Sequence, residues 1–167
     1  MGDQALRLCG ELADGVIISN LAPPAFTRRA AGIVREAAAR VGRSAPREVV
    51  QYVPCAVGDD GDEARRRAKA AVAAMLIAYR ATASGATRAA IAEYNGLTPD
   101  EFAQAMARLD RGEPLDDRLL AQYAVAGTAG ECLAQCRGYA KAGVTELALA
   151  PIGERGVEDI TRLGRGL

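Results

Sequence analysis

The hydrophobic pattern opens with a helical segment, residues 3–13, in which Leu8 and Leu12 recur at i, i+4 with Leu6 and Cys9 beside them. Asp14-Gly15 closes the segment, and Asp3 stands where an N-cap belongs. Directly behind it comes the run Val16-Ile17-Ile18, bounded by Gly15 in front and Ser19-Asn20 behind. An unbroken apolar run of this length predicts a buried parallel strand over 16–19. Its polar end would then stand at the carboxyl edge of a sheet, where α/β proteins place ligands.

The plan of helix, buried strand and polar strand end recurs downstream. Pro23 and Pro24 start a second helix, where a first-turn N–H has no partner to lose. Phe26, Ala30, Ile33, Val34, Ala37 and Val41 recur at helical spacing up to Gly42, and Arg28, Arg29, Arg35 and Arg40 fall largely on the other side, a solvated face. Residues 48–57 (EVVQYVPCAV) predict a second strand, whose Pro54 suits an edge, an end or a bulge because it removes a ladder donor. The acidic turn 58–62 lacks the ligand spacing and closing glutamate of an EF-hand loop, so it predicts a helix start favoured by negative charge. A long helix over 63–83 carries the stripe Ala68, Val72, Met75, Leu76 and Tyr79. Shorter helices follow at 87–94, 98–109 and 115–123. Thr98-Pro99-Asp100-Glu101 combines an N-cap, a first-turn proline and a capping-box glutamate. Thr128 to Glu131 repeats the capping box and opens a helix closed at Gly143. Residues 144–150 predict a third strand, ended by Pro151, and 157–163 a last short helix.

Three parallel strands joined by helices imply right-handed crossovers. They also leave two strand edges with unpaired N–H and C=O groups, which a partner chain or further strands of the same sheet must cover.

At 167 residues the chain is long enough for one domain with a real core, 1–167. Its 21 basic and 21 acidic residues cancel, so no net field steers it to nucleic acid or an anionic membrane. Aromatic residues make up 4%, too few for a base-stacking platform. The chain has no histidine, which excludes Ser-His-Asp and Cys-His triads within it and every imidazole zinc site. Cys9 and Cys55 read as buried thiols, and Cys132 and Cys136, at i, i+4, read as two independent helix positions rather than half of a metal site. No signal peptide or run of 18 apolar residues occurs, which predicts a soluble, cytoplasmic protein with no membrane partner.

Four blocks carry a resemblance: residues 5–43, 49–57 (VVQYVPCAV), 124–136 (AVAGTAGECLAQC) and 142–151 (AGVTELALAP). In this order they resemble the C-terminal portion of the luciferase-like monooxygenase family, most of all its oxidoreductases that use coenzyme F-420. The resemblance implies an α/β fold, the C-terminal part of a TIM (β/α)8 barrel: about three β/α units plus the family's helical insertion. It implies F-420 or FMN as cofactor, hydride transfer or monooxygenation of a small organic substrate, and no catalytic residue inside this chain, since members hold most of theirs on earlier strands. Gly2, Asp3 and Gln4 fall at the tail of the loop that approaches the cofactor phosphate, although Asp3 equally serves as an N-cap. Ser19 and Asn20 fall where relatives contact the ring system, with Ile18 as an apolar wall, although the polar pair could equally cap the turn. Pro151, Ile152 and Gly153 would border the same mouth. The alternative is a non-catalytic half-barrel that forms a homo-oligomer or pairs with another chain through its open edges.

Overall fold

The computed structural model describes residues 2–44, 48–82 and 91–166. Within them the chain runs α1 (Asp3–Leu12), β1 (Gly15–Ile18), α2 (Pro24–Arg40), β2 (Glu48–Val57), α3 (Gly61–Thr82), α4 (Pro99–Asp110), α5 (Asp117–Tyr123), β3 (Val125–Gly127), α6 (Ala129–Lys141), β4 (Glu146–Pro151) and α7 (Gly156–Gly164). The first half of the helix expected at 87–94 lies outside the described residues, and residues 91–93 are helical. Among those described, no helix is long and apolar enough to cross a membrane.

All strands are parallel, and β2 is the hub of the sheet. β1 pairs with its first half (Ile17 opposite Val50), β4 with its middle (Val53 opposite Leu149), and β3 with its end (Ala56 opposite Ala126). Val50 faces both Ile17 and Glu146, and Cys55 faces both Val125 and Pro151. β1 and β3 therefore share one flank of β2, one after the other, and β4 takes the opposite flank. The sequence pattern anticipates three of these strands and misses β3.

Pro54 lies inside this central strand, not at an edge, an end or a bulge. The pairing explains why. The Cys55 carbonyl accepts from Ile152 N–H on the β4 side at 2.8 Å, so by alternation the backbone of Pro54 points to the other flank. That flank is vacant there, because β1 stops opposite Gln51 and β3 begins opposite Cys55. The missing donor falls in a gap where no acceptor waits.

One face of the sheet packs on helices. Val16, Ile18 and Val49 meet Leu6, Phe26, Ala30, Ala31 and Val34, while Val53, Cys55 and Val57 meet Cys132, Tyr139 and Leu163. Each large aliphatic buried this way contributes roughly 1.5–3 kcal/mol. A third cluster joins Ala56 and Ala126 to α3, α4 and α5. On the other face of the sheet Ile17 and Tyr52 stay 57% and 44% exposed.

Local signals hold the helix starts. Thr98 and Thr128 each form the reciprocal capping box expected of them, with Glu101 and Glu131. Asp60 Oδ1 accepts from Asp62 and Glu63 N–H at 2.9 and 3.2 Å, so the acidic turn starts α3. Asp3, however, is the first helical residue of α1, and Gly2 is its N-cap without a side-chain bond. The Asp3 carboxylate instead reaches across to Arg29 of α2 at 2.8 Å.

The Thr128 backbone N–H and hydroxyl, with Arg65 beside them, hold the Glu131 carboxyl below its ordinary value of 4.5. A carboxylate depressed by folding adds stability that is complete above its unfolded value and is lost as pH falls through the lower folded one. Urea midpoints measured downward from pH 5 should fall less steeply for Glu131→Gln than for the parent chain. Equal slopes would show that the cap carries no pH-dependent stability.

Candidate functional site

The carboxyl ends of the strands collect the polar groups. β1 ends at Ile18, and the chain turns through Ser19, Asn20, Leu21 and Ala22 into α2. Leu21 takes a φ of 59°, the left-handed region that a leucine adopts only when its surroundings impose it. Its side chain is 2% exposed, locked into the cluster with Ala56 and Ala64.

Ser19 is exposed and Asn20 half-buried. The Asn20 side-chain oxygen, Oδ1, is buried and has no hydrogen-bond partner among the described residues. A buried acceptor without a donor costs roughly 1–3 kcal/mol. Such a group calls for a donor that the described residues do not supply, from a ligand, an ion or a water.

Below this turn lies a polar contact that the sequence pattern did not single out. Gln51 of β2, 1% exposed, accepts from Thr27 Oγ1 at 2.6 Å. Its Nε2 donates to the carbonyls of Ser19 (3.2 Å), Ala22 (3.4 Å) and Tyr52 (3.3 Å). The last bond lies in the gap between β1 and β3. A glutamine inside the valine-rich run EVVQYV was the available signal, since a buried amide must find partners.

Of the remaining expected residues, Gly2 and Gln4 are exposed at the start of α1. The chain runs down α1 and back up β1, so they stand at the same end of the sheet as Ser19 and Asn20. Asp3 is engaged by Arg29, whose guanidinium also lies 5.9 Å from the Tyr94 ring centre. Its charge is therefore answered within the protein. Ile18 is 1% exposed and points into the helix-covered core, so it is not a wall of an open site. Alternation puts Ile17 on the open face instead. Ile152 packs against the cluster at the top of β2, and Gly153 turns with a φ of 78°.

Beside this end, Arg67 of α3 and Asp159 of α7 lock the strand ends together. Asp159, 0% exposed, accepts from Val57 N–H at 3.0 Å and from Arg67 at 3.1 Å, while Arg67 also donates to the Val57 carbonyl at 3.0 Å. The thiols are packing groups: burial pushes both Cys55 and Cys132 up to about 12, and Cys132 Sγ rests on the Ala56 carbonyl at 3.8 Å. Such thiols are poor nucleophiles.

The family described as luciferase-like monooxygenase matches residues 1–146. The chain belongs to the luciferase-like monooxygenase family. A 5,10-methylenetetrahydromethanopterin reductase of Archaeoglobus fulgidus is 27% identical to this family member over 98% of its chain and 50% of the reductase. Among solved structures, the coenzyme F-420 dependent tetrahydromethanopterin reductase of Methanopyrus kandleri superposes with a TM-score of 0.68 at 22% identity, over 90% of this chain and 42% of that one. A riboflavin lyase solved with modified FMN and riboflavin superposes with a TM-score of 0.66 at 17% identity, over 99% of this chain and 41% of the lyase. The chain thus spans half or less of the length of these luciferase-like proteins, and its fold is a partial (β/α) barrel.

Proposed function

We propose that the chain is the C-terminal portion of a flavin- or deazaflavin-dependent oxidoreductase and contributes part of the site for FMN or coenzyme F-420. The observation that carries this reading is the orphaned Asn20 Oδ1 at the carboxyl end of β1. Both ring systems carry an N–H donor on their pyrimidine edge, the group that such an acceptor lacks. Asn20 and Ser19 would hold that edge. The uncapped first turn of α1, at Gly2, Asp3 and Gln4, would face the phosphate, because free N–H groups at a helix start attract anions. The cofactor supplies the hydride or oxygen chemistry, and this chain's residues bind and orient it.

Fluorescence titration of the chain with FMN and with coenzyme F-420 tests the reading. Saturable binding by one of them at micromolar concentration, weakened about tenfold in Asn20→Ala, is the expected result, since loss of one buried hydrogen bond is worth about 1–2 kcal/mol. Binding of neither at high micromolar concentration refutes a retained site.

The open part of the sheet face favours a second reading, a half-barrel covered by another chain. Ile17 and Tyr52 stand open, as do Leu8 and Leu12 on α1 and Val157 and Ile160 on α7. Sedimentation showing a folded monomer at low concentration would count against it.

A further inference from the structure

We propose that Gln51, oriented by Thr27, is a positioning residue that fixes Asn20 for its ligand. The ligand half of this statement rests on the cofactor reading above. The geometry of the clamp does not.

Gln51 Nε2 holds the Ser19 carbonyl immediately before Asn20 and the Ala22 carbonyl two residues after it. The two bonds bracket the Asn20-Leu21 segment, where the left-handed backbone of Leu21 sets the direction in which Asn20 leaves the strand. A leucine does not hold that conformation unaided. Two things impose it: the buried Leu21 side chain on one side and the Gln51 amide on the other. Gln51 is itself fixed, because its Oε1 takes the Thr27 hydroxyl proton at 2.6 Å, while the Thr27 N–H donates to the Pro23 carbonyl at 3.1 Å. The chain of contacts runs from the first turn of α2, through the central strand, to the turn that carries the orphaned acceptor. Nothing in this network satisfies Asn20 Oδ1, so the clamp holds the acceptor in place without quenching it.

Tests on the isotope-labelled 167-residue chain use two readouts. Without ligand, NMR follows the Asn20 side-chain amide pair and the backbone coupling that reports φ at Leu21. Thr27→Val and Gln51→Met are expected to shift the amide pair and to move Leu21 out of the left-handed region. Thr27→Ser, which keeps the hydroxyl, should retain both parent signals. With ligand, titration with FMN and with coenzyme F-420 should show binding weakened on the order of ten- to a hundredfold in Thr27→Val and Gln51→Met. Thr27→Ser should bind as the parent does. Circular dichroism confirms folding, and Thr27→Val alone decides the matter if Gln51→Met unfolds.

Unchanged Asn20 and Leu21 signals in folded Thr27→Val overturn the inference. So does a shifted Asn20 with undiminished cofactor affinity. A parent chain that binds neither cofactor, while the ligand-free signals move as expected, refutes the cofactor reading and leaves the clamp established.

Discussion

Asp159→Ala is expected to destabilise the fold by about 3–5 kcal/mol, the cost of breaking a buried ion pair from one side. The carboxylate is wholly buried and has three donors from two elements: the Val57 N–H at the end of β2 and both terminal nitrogens of Arg67 on α3. Alanine leaves the Val57 N–H without an acceptor. It also leaves a guanidinium whose side chain is only 20% exposed with Glu63 as its one remaining counter-charge among the described residues. The Val57 and Ile152 carbonyls still accept from Arg67, which keeps the loss below complete desolvation of the cation. Asp159→Asn should cost less, because its amide oxygen still accepts from Val57 N–H, although it loses the charge and one acceptor for Arg67. Urea unfolding is the measurement: the midpoint should fall with little change in slope. An unchanged midpoint for Asp159→Ala would mean that the pair is decorative.

Gly10→Ala is the second large effect, expected at about 2 kcal/mol or more of destabilisation. Alanine is the better helix former by about 1 kcal/mol, so propensity alone predicts the opposite sign. Packing decides against it. A Cβ at position 10 would fall on the Val34 carbonyl oxygen and lie 2.7 Å from Ala37 Cβ, both on α2. The first obstacle is backbone, which no rotamer change can move aside. α1 and α2 would have to separate, and that opens the cluster of Leu6, Phe26, Ala30 and Val34. Thermal unfolding of the variant, compared with Gly32→Ala, where a Cβ meets nothing within 4 Å, isolates the clash from propensity.

What the sequence revealed and what it concealed divide by range. The two capping boxes depend on residues three apart, and both form as the pattern requires. The bounds of β2 follow from its valine run. β3 is three residues, Val-Ala-Gly, too short for any periodicity to register. Pro54 was misplaced because the vacancy that tolerates it is made by β1 and β3, one ending and the other starting far away in sequence. At the site, the polar strand end at Ser19-Asn20 was legible from composition. Which isoleucine faces outward was not, since in a strand it depends on register by a single residue. Asp159 sits among Glu158, Arg155 and Arg162 and reads as one more surface charge. Only the tertiary fold sinks it under β2.

The position of β2 also bears on how the chain comes into being. Its first half pairs with β1, close by in sequence, whereas the contact between Val49 and Thr145 spans 96 residues. For an interval of synthesis, then, the central strand has its β1 partner while the stretch that β3 takes and the whole β4 side are unpaired. Loop closure over such a distance is slow, and an unpaired apolar edge recruits other chains while it waits. The helices encoded between β2 and β4 set the length of that interval.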